Sequence, residues 1–158
     1  MELKYTLMFL LGFLSCVFLF YMFSSSNLEV PFATGLVSFD ASSPSDWVSG
    51  EDIVVFDDYI ILRIANATLS NYADSGSMRP VLDEDSNGIR IVPGNVDEIG
   101  VGDIVSFRFG RNLIVHRVVE KGVDSEGIYF IMKGDNNFVS DEKVRFNQIE
   151  YVTVGVIW

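Results

Sequence analysis

Residues 7–23 carry no charged side chain, the longest such apolar run in the chain. At a rise of about 1.5 Å per residue they extend about 26 Å as a helix, and with Tyr5 and Thr6 they approach the roughly 30 Å hydrocarbon thickness of a bilayer. The pattern predicts a membrane-spanning helix. Ser24-Ser25-Ser26 offers the small-residue region that follows a cleaved secretory signal, but the run exceeds the roughly 7 to 15 apolar residues of such signals, so the expectation is an uncleaved anchor. Lys4 precedes the run and the next basic residue is Arg63. That asymmetry predicts residues 1–6 in the cytoplasm and residues 24–158 across the membrane.

Beyond the anchor the period changes from helical to strand-like. Residues 24–52 mix polar clusters with a short apolar piece near residues 31–39, read as a tether with a first strand, and Trp47 is read as a core-packing aromatic. Residues 53–56 and 59–64 are apolar and flank Asp57-Asp58, a two-residue hairpin signal. Stretches 88–92, 103–109, 113–120, 127–133 and 151–158 are β-branched or aromatic and are separated by Gly, Asn and Asp turns. No amphipathic helix of useful length follows the anchor. The expectation is a mainly β protein, with one N-terminal transmembrane helix ahead of an antiparallel β domain at residues 53–158. Asn66-Ala67-Thr68 fits the N-glycosylation pattern and in this topology faces the compartment where glycans are added.

Composition narrows the chemistry. Lys and Arg total 11 against 22 Asp and Glu, a net charge of −11, which argues against a nucleic-acid partner because phosphates are repelled. The single cysteine, Cys16, lies in the apolar run and rules out a disulfide framework or a thiolate zinc site. With one histidine in the chain, a multi-histidine metal centre is excluded and any histidine base is His116.

Three stretches carry chemistry. In Ser75-Gly76-Ser77-Met78-Arg79-Pro80, Gly76 opens backbone angles closed to other residues and Pro80 biases Arg79 toward extended geometry, so the turn presents Ser77 rigidly. Such clusters also mark ordinary turns. In residues 113–119 the two-residue period puts His116 on the face of Ile114 and Val118, toward a core or a cleft wall. Lys133-Gly134-Asp135-Asn136-Asn137, with Asp141 beyond it, reads as a turn rich in acceptors. A serine in a rigid turn, a histidine on a strand and two loop aspartates are the parts of a nucleophile, its base and an orienting acid. Lys133 and Lys143 stay open as bases of a Ser-Lys dyad.

Together with Val101-Gly102-Asp103-Ile104-Val105, these stretches resemble, in order, the conserved boxes of type I signal peptidase, in its archaeal and endoplasmic-reticulum branch. The resemblance implies Ser77 as nucleophile, His116 as general base, Asp141 as triad acid and Asp135 as a second required aspartate. It also implies an oxyanion site at the Ser75 hydroxyl and the Ser77 N–H. The implied reaction is cleavage of one peptide bond in a signal-peptide-bearing precursor at the membrane surface, after small residues immediately before the bond and two positions earlier, with no metal or cofactor. Two stretches depart from the family's pattern: residues 82–93, with Asp83-Glu84-Asp85, and Phe138-Val139. Two other readings fit the same boxes: an inactive membrane-tethered β domain that binds a partner, and a peptidase of the same fold acting on itself or one dedicated partner.

Overall fold

The computed structural model describes residues 41–158 together with positions 4, 5, 8, 10–15, 17 and 18. The described positions of the N-terminal stretch are helical. Among the described residues no helix is long and apolar enough to cross a membrane. The remaining positions of the expected anchor, and the strand expected near residues 31–39, lie outside the described residues. The chain divides into two units, Met1–Phe39 and Asp40–Trp158.

The second unit is mainly β and its strands pair antiparallel throughout. In chain order the strands are β1 (Ile53–Val55), β2 (Ile60–Leu62), β3 (Thr68–Asn71), β4 (Asn87–Ile91), β5 (Ile104–Phe109), β6 (Asn112–Asp124), β7 (Gly127–Lys133), β8 (Lys143–Val144) and β9 (Ile149–Ile157). β1 and β2 form the expected hairpin, with the Phe56 N–H donating to the Tyr59 carbonyl across Asp57-Asp58. The other seven build one sheet in the order β3-β4-β9-β5-β6-β7-β8. The described helices after the anchor region are 3₁₀ turns of three residues each.

β5 sits between β9 and β6 and is buried on both faces. Val105 and Phe107 enter the larger core with Ile99, Val118, Phe130 and Met132, all fully buried. Ile104 points the other way and packs with Met78 and Leu82. Residues 104–107 are thus buried at both parities, Ser106 among them, as a strand with two covered faces requires. Just ahead of β5, the buried Asp103 carboxylate accepts hydrogen bonds from the Ser45 N–H (2.7 Å), the Ser45 hydroxyl (3.0 Å), the Trp47 indole (3.1 Å) and the Gly100 N–H (2.8 Å). Trp47 packs on the larger core.

Three elements differ from the expected strands. β3 is polar (Thr-Leu-Ser-Asn) and mostly exposed, so no hydrophobic alternation announces it. β8 has two residues. β6 continues past residue 120 to Asp124, because beyond a register shift between Val118 and Glu120 it stays paired with β7 as far as Asp124↔Gly127, where Tyr129 covers Gly122. Asn66 is exposed with a left-handed φ of 56°, two residues before β3.

Asp124 ties the far end of the β6–β7 hairpin to β8. Its carboxylate meets Lys143 Nζ at 2.7 Å, the Glu126 N–H at 3.0 Å and Arg145 at 2.9 Å, and these contacts, led by Lys143, hold it below the usual carboxylate range. A carboxylate with a depressed folded-state pKa adds stability above its unfolded value, near 3.9, and loses it as pH falls through the folded value. Asp124→Asn is therefore expected to lower the urea midpoint at pH 7, with the gap to the wild-type chain closing as pH is taken from about 4 toward 2; a gap that is the same at pH 7 and pH 2 would count against the ion pairs.

Candidate active site

The serine turn follows β3 and is fixed at three points. Gly76 has φ 67°, in the left-handed region that a side chain disfavours, and this reverses the chain before Ser77. Met78 is 4% exposed and roots the turn in the smaller core. Asn136 grips it from the β7–β8 loop, its N–H donating to the Ser77 carbonyl (2.8 Å) and its side-chain amide to the Gly76 carbonyl (3.0 Å). Gly134 permits this approach, since a Cβ there would lie 2.6 Å from the Ser77 carbonyl oxygen.

His116 arrives on β6, paired with Val105 of β5, and is 6% exposed. Its ring is tilted at 54° to that of Phe107, with centroids 6.3 Å apart. Nδ1 lies 2.6 Å from Asp141 Oδ2 and Nε2 lies 3.2 Å from Ser77 Oγ. A carboxylate beside Nδ1 accepts a hydrogen bond from the Nδ1–H and so leaves the Nε2 lone pair for the serine hydroxyl. Asp141 is placed by its own N–H, which donates to the Met132 carbonyl at the end of β7 (2.8 Å). The Ser77 N–H donates to Ser75 Oγ (3.4 Å), and the two hydroxyls are 3.1 Å apart, so the groups expected to hold an oxyanion are adjacent to the nucleophile.

Asp135 stands elsewhere. Its two oxygens take a fork of hydrogen bonds from Arg117, each 2.8 Å, and Arg117 also donates to the Gly102 carbonyl (2.8 Å). Both side chains of the pair are nearly buried, at 8% and 12% exposure. The contacts of Asp135 thus lie with Arg117, one residue along the strand from His116, and it bears on Ser77 through the loop that carries Asn136. Lys143 is committed to Asp124, which raises its pKa, the opposite of what a lysine base requires.

Residues that the sequence pattern left without a role complete the site. Asn137 brings its amide within 3.5 Å of His116 Nε2. A cleft of about 530 Å³ opens beside Ser77 and His116, walled by Tyr72, Ala73 and Leu82 on one side and by Leu113, Ile114 and Val115 of β6 on the other. β7 pairs with β6 only from Arg117 onward, so on that side residues 112–116 present a strand edge that β7 leaves unpaired. Among the described residues no group of His, Cys, Asp and Glu is arranged to hold a metal ion. No family model, no curated protein and no solved structure matches the chain.

The two aspartates differ in what their loss exposes. Asp135→Asn leaves the Arg117 guanidinium nearly buried without its counter-charge and is expected to lower unfolding free energy by about 3 kcal/mol or more. Asp141→Asn, at a quarter-exposed position, is expected to stay within about 1 kcal/mol of the parent. Denaturant titration followed by tryptophan fluorescence distinguishes them, and equal losses would contradict the separation of their roles.

Proposed function

We propose that the chain is a membrane-anchored serine endopeptidase of the signal-peptidase type, cleaving signal peptides from secreted precursors on the extracytoplasmic side. The observation that carries this reading is the hydrogen-bonded series Ser77–His116–Asp141, drawn from a turn, a strand and a loop. The N-terminal apolar run and the sheet edge at residues 112–116 support it.

The precursor enters as an extended strand along the open edge of β6, which gives its backbone partners and directs alternate side chains into the cleft. Ser77 Oγ attacks the scissile carbonyl as His116 Nε2 takes the hydroxyl proton. Asp141 holds the imidazole in the required tautomer and offsets its charge. The developing oxyanion is met by the Ser77 N–H and the Ser75 hydroxyl. His116 then returns its proton to the departing amine, the C–N bond breaks and an ester to Ser77 remains. Water, deprotonated by the same imidazole, attacks the ester and restores the serine. The nucleophile, base and orienting acid are all side chains, so the reaction as written uses no cofactor. The N-terminal apolar run, as an anchor, tethers the peptidase to the membrane that translocated precursors cross.

A serine-directed acylating probe tests the chemistry directly, since a domain that only binds a partner has no reason to label. Incorporation is expected at Ser77, lost in Ser77→Ala and His116→Ala. Label on another residue, or none, would remove the enzymatic reading. With a synthetic precursor, cleavage is expected and is lost in His116→Ala, which removes the acceptor of the serine proton. Asp141→Asn is expected to cost about 10⁴-fold in turnover. Near-full activity in Asp141→Asn would show that another group orients the base.

A further inference from the structure

Arg90 lines the same cleft as Ser77 and His116, and among the described residues no carboxylate lines it with them. That is unusual in a chain with twice as many acidic as basic side chains. Arg79, Arg108, Arg117 and Arg145 each contact an Asp or Glu. Among the described residues no acidic side chain contacts Arg63, Arg90 or Arg111, and of these three Arg90 lines the cleft. Its guanidinium is nonetheless held in place: the carbon lies 3.9 Å from the centroid of the Tyr151 ring, and Nε donates to Thr68 Oγ1 at 3.3 Å. Stacking fixes the plane and Thr68 takes the inner nitrogen, which leaves the two terminal nitrogens, the prongs that match a carboxylate, without a partner among the described residues. Tyr72, its phenol 3.1 Å from Thr153 Oγ1, forms part of the wall between Arg90 and the serine turn.

We propose that Arg90 forms a subsite that selects peptides carrying an Asp or Glu side chain within about four residues of the scissile bond. The proposal rests on the peptidase reading and adds to it an acidic preference beyond the small residues beside the bond. The span follows from the cleft: Arg90, Ser77 and His116 line one cavity of about 530 Å³, and an extended chain advances about 3.4 Å per residue, so only side chains a few residues from the bond lie within it. The cleft wall near Arg90 is otherwise uncharged, so an arriving carboxylate meets a pre-oriented guanidinium with no internal anion to displace.

Synthetic precursor peptides with Ala before the bond and two positions earlier test this, with a single Glu, or Gln in its place, moved through four positions on either side. Binding is measured to the full chain in detergent carrying Ser77→Ala, and cleavage is measured with the unsubstituted chain. Glu is expected to bind about tenfold more tightly than Gln at one or two adjacent positions. Arg90→Gln is expected to erase that difference and Arg90→Lys to keep part of it, with unchanged circular dichroism in both. Glu and Gln peptides that bind alike, or not at all, overturn the proposal, as does a Glu preference that survives in Arg90→Gln. If the Glu preference in binding is present while the unsubstituted chain cuts no peptide, the subsite stands and the peptidase reading falls.

Discussion

Two carbonyl oxygens, those of Gly76 and Ser77, decide where the serine points, and both are held by Asn136. The serine turn lies outside the strands, and Ser75 and Arg79 on either side of it are exposed. Its own backbone supplies one glycine-dependent reversal and one buried methionine. The remaining restraint comes from a loop 60 positions downstream. That loop is set by the end of β7, which is set by its pairing with β6, and β6 carries the histidine. Nucleophile and base are thus referred to one sheet, and a displacement of β7 moves them relative to each other. Gly134 is where the arrangement is tightest, because the contact at the Ser77 carbonyl leaves no room for a methyl group.

Neighbouring residues on β6 divide the labour. A strand sends adjacent side chains to opposite faces, so His116 and Arg117 have to find their partners on different sides of the sheet. The loop after β7 passes around the edge and supplies one aspartate to each: Asp135 to the guanidinium and Asp141 to the imidazole. Asp135 compensates a nearly buried cation and thereby fixes the loop that reaches the serine, while Asp141 acts on the base itself.

Much of this was legible in the residues. The hairpin around Asp57-Asp58 and the five later apolar stretches contain recognisable periods, and their cores became strands. β3 and β8 were not legible, the first because it is polar and mostly exposed, the second because two residues carry no period. Ser77 and His116 stood out by residue type and local pattern, Asp141 only as one of two loop aspartates whose role the family resemblance implied, and the structure brings the three together. The difference between the aspartates was also present in the sequence: an arginine next to the histidine on a strand has to face away from it, and a buried arginine requires a carboxylate. Arg90 gave no such signal. In Ile89-Arg90-Ile91 it reads as an ordinary outward-facing charge, and only the Tyr72 side chain, reaching from the end of β3 to Thr153, makes that face the wall of a cleft.

The four donors around Asp103 also set how the β domain carries mechanical load. A pull on the chain ahead of residue 41 reaches Ser45 and Trp47 and passes through their hydrogen bonds to Asp103, the residue just ahead of β5. That strand lies between two others, β9 and β6, so force directed along it is borne in shear by two ladders at once, whereas a pull on an outer strand opens its bonds one at a time. The thin hairpin of β1 and β2 follows this junction in sequence and is bypassed by the load. Tension applied from the N-terminal side therefore enters the sheet at a central strand, next to Ile104, which packs with Met78 of the serine turn.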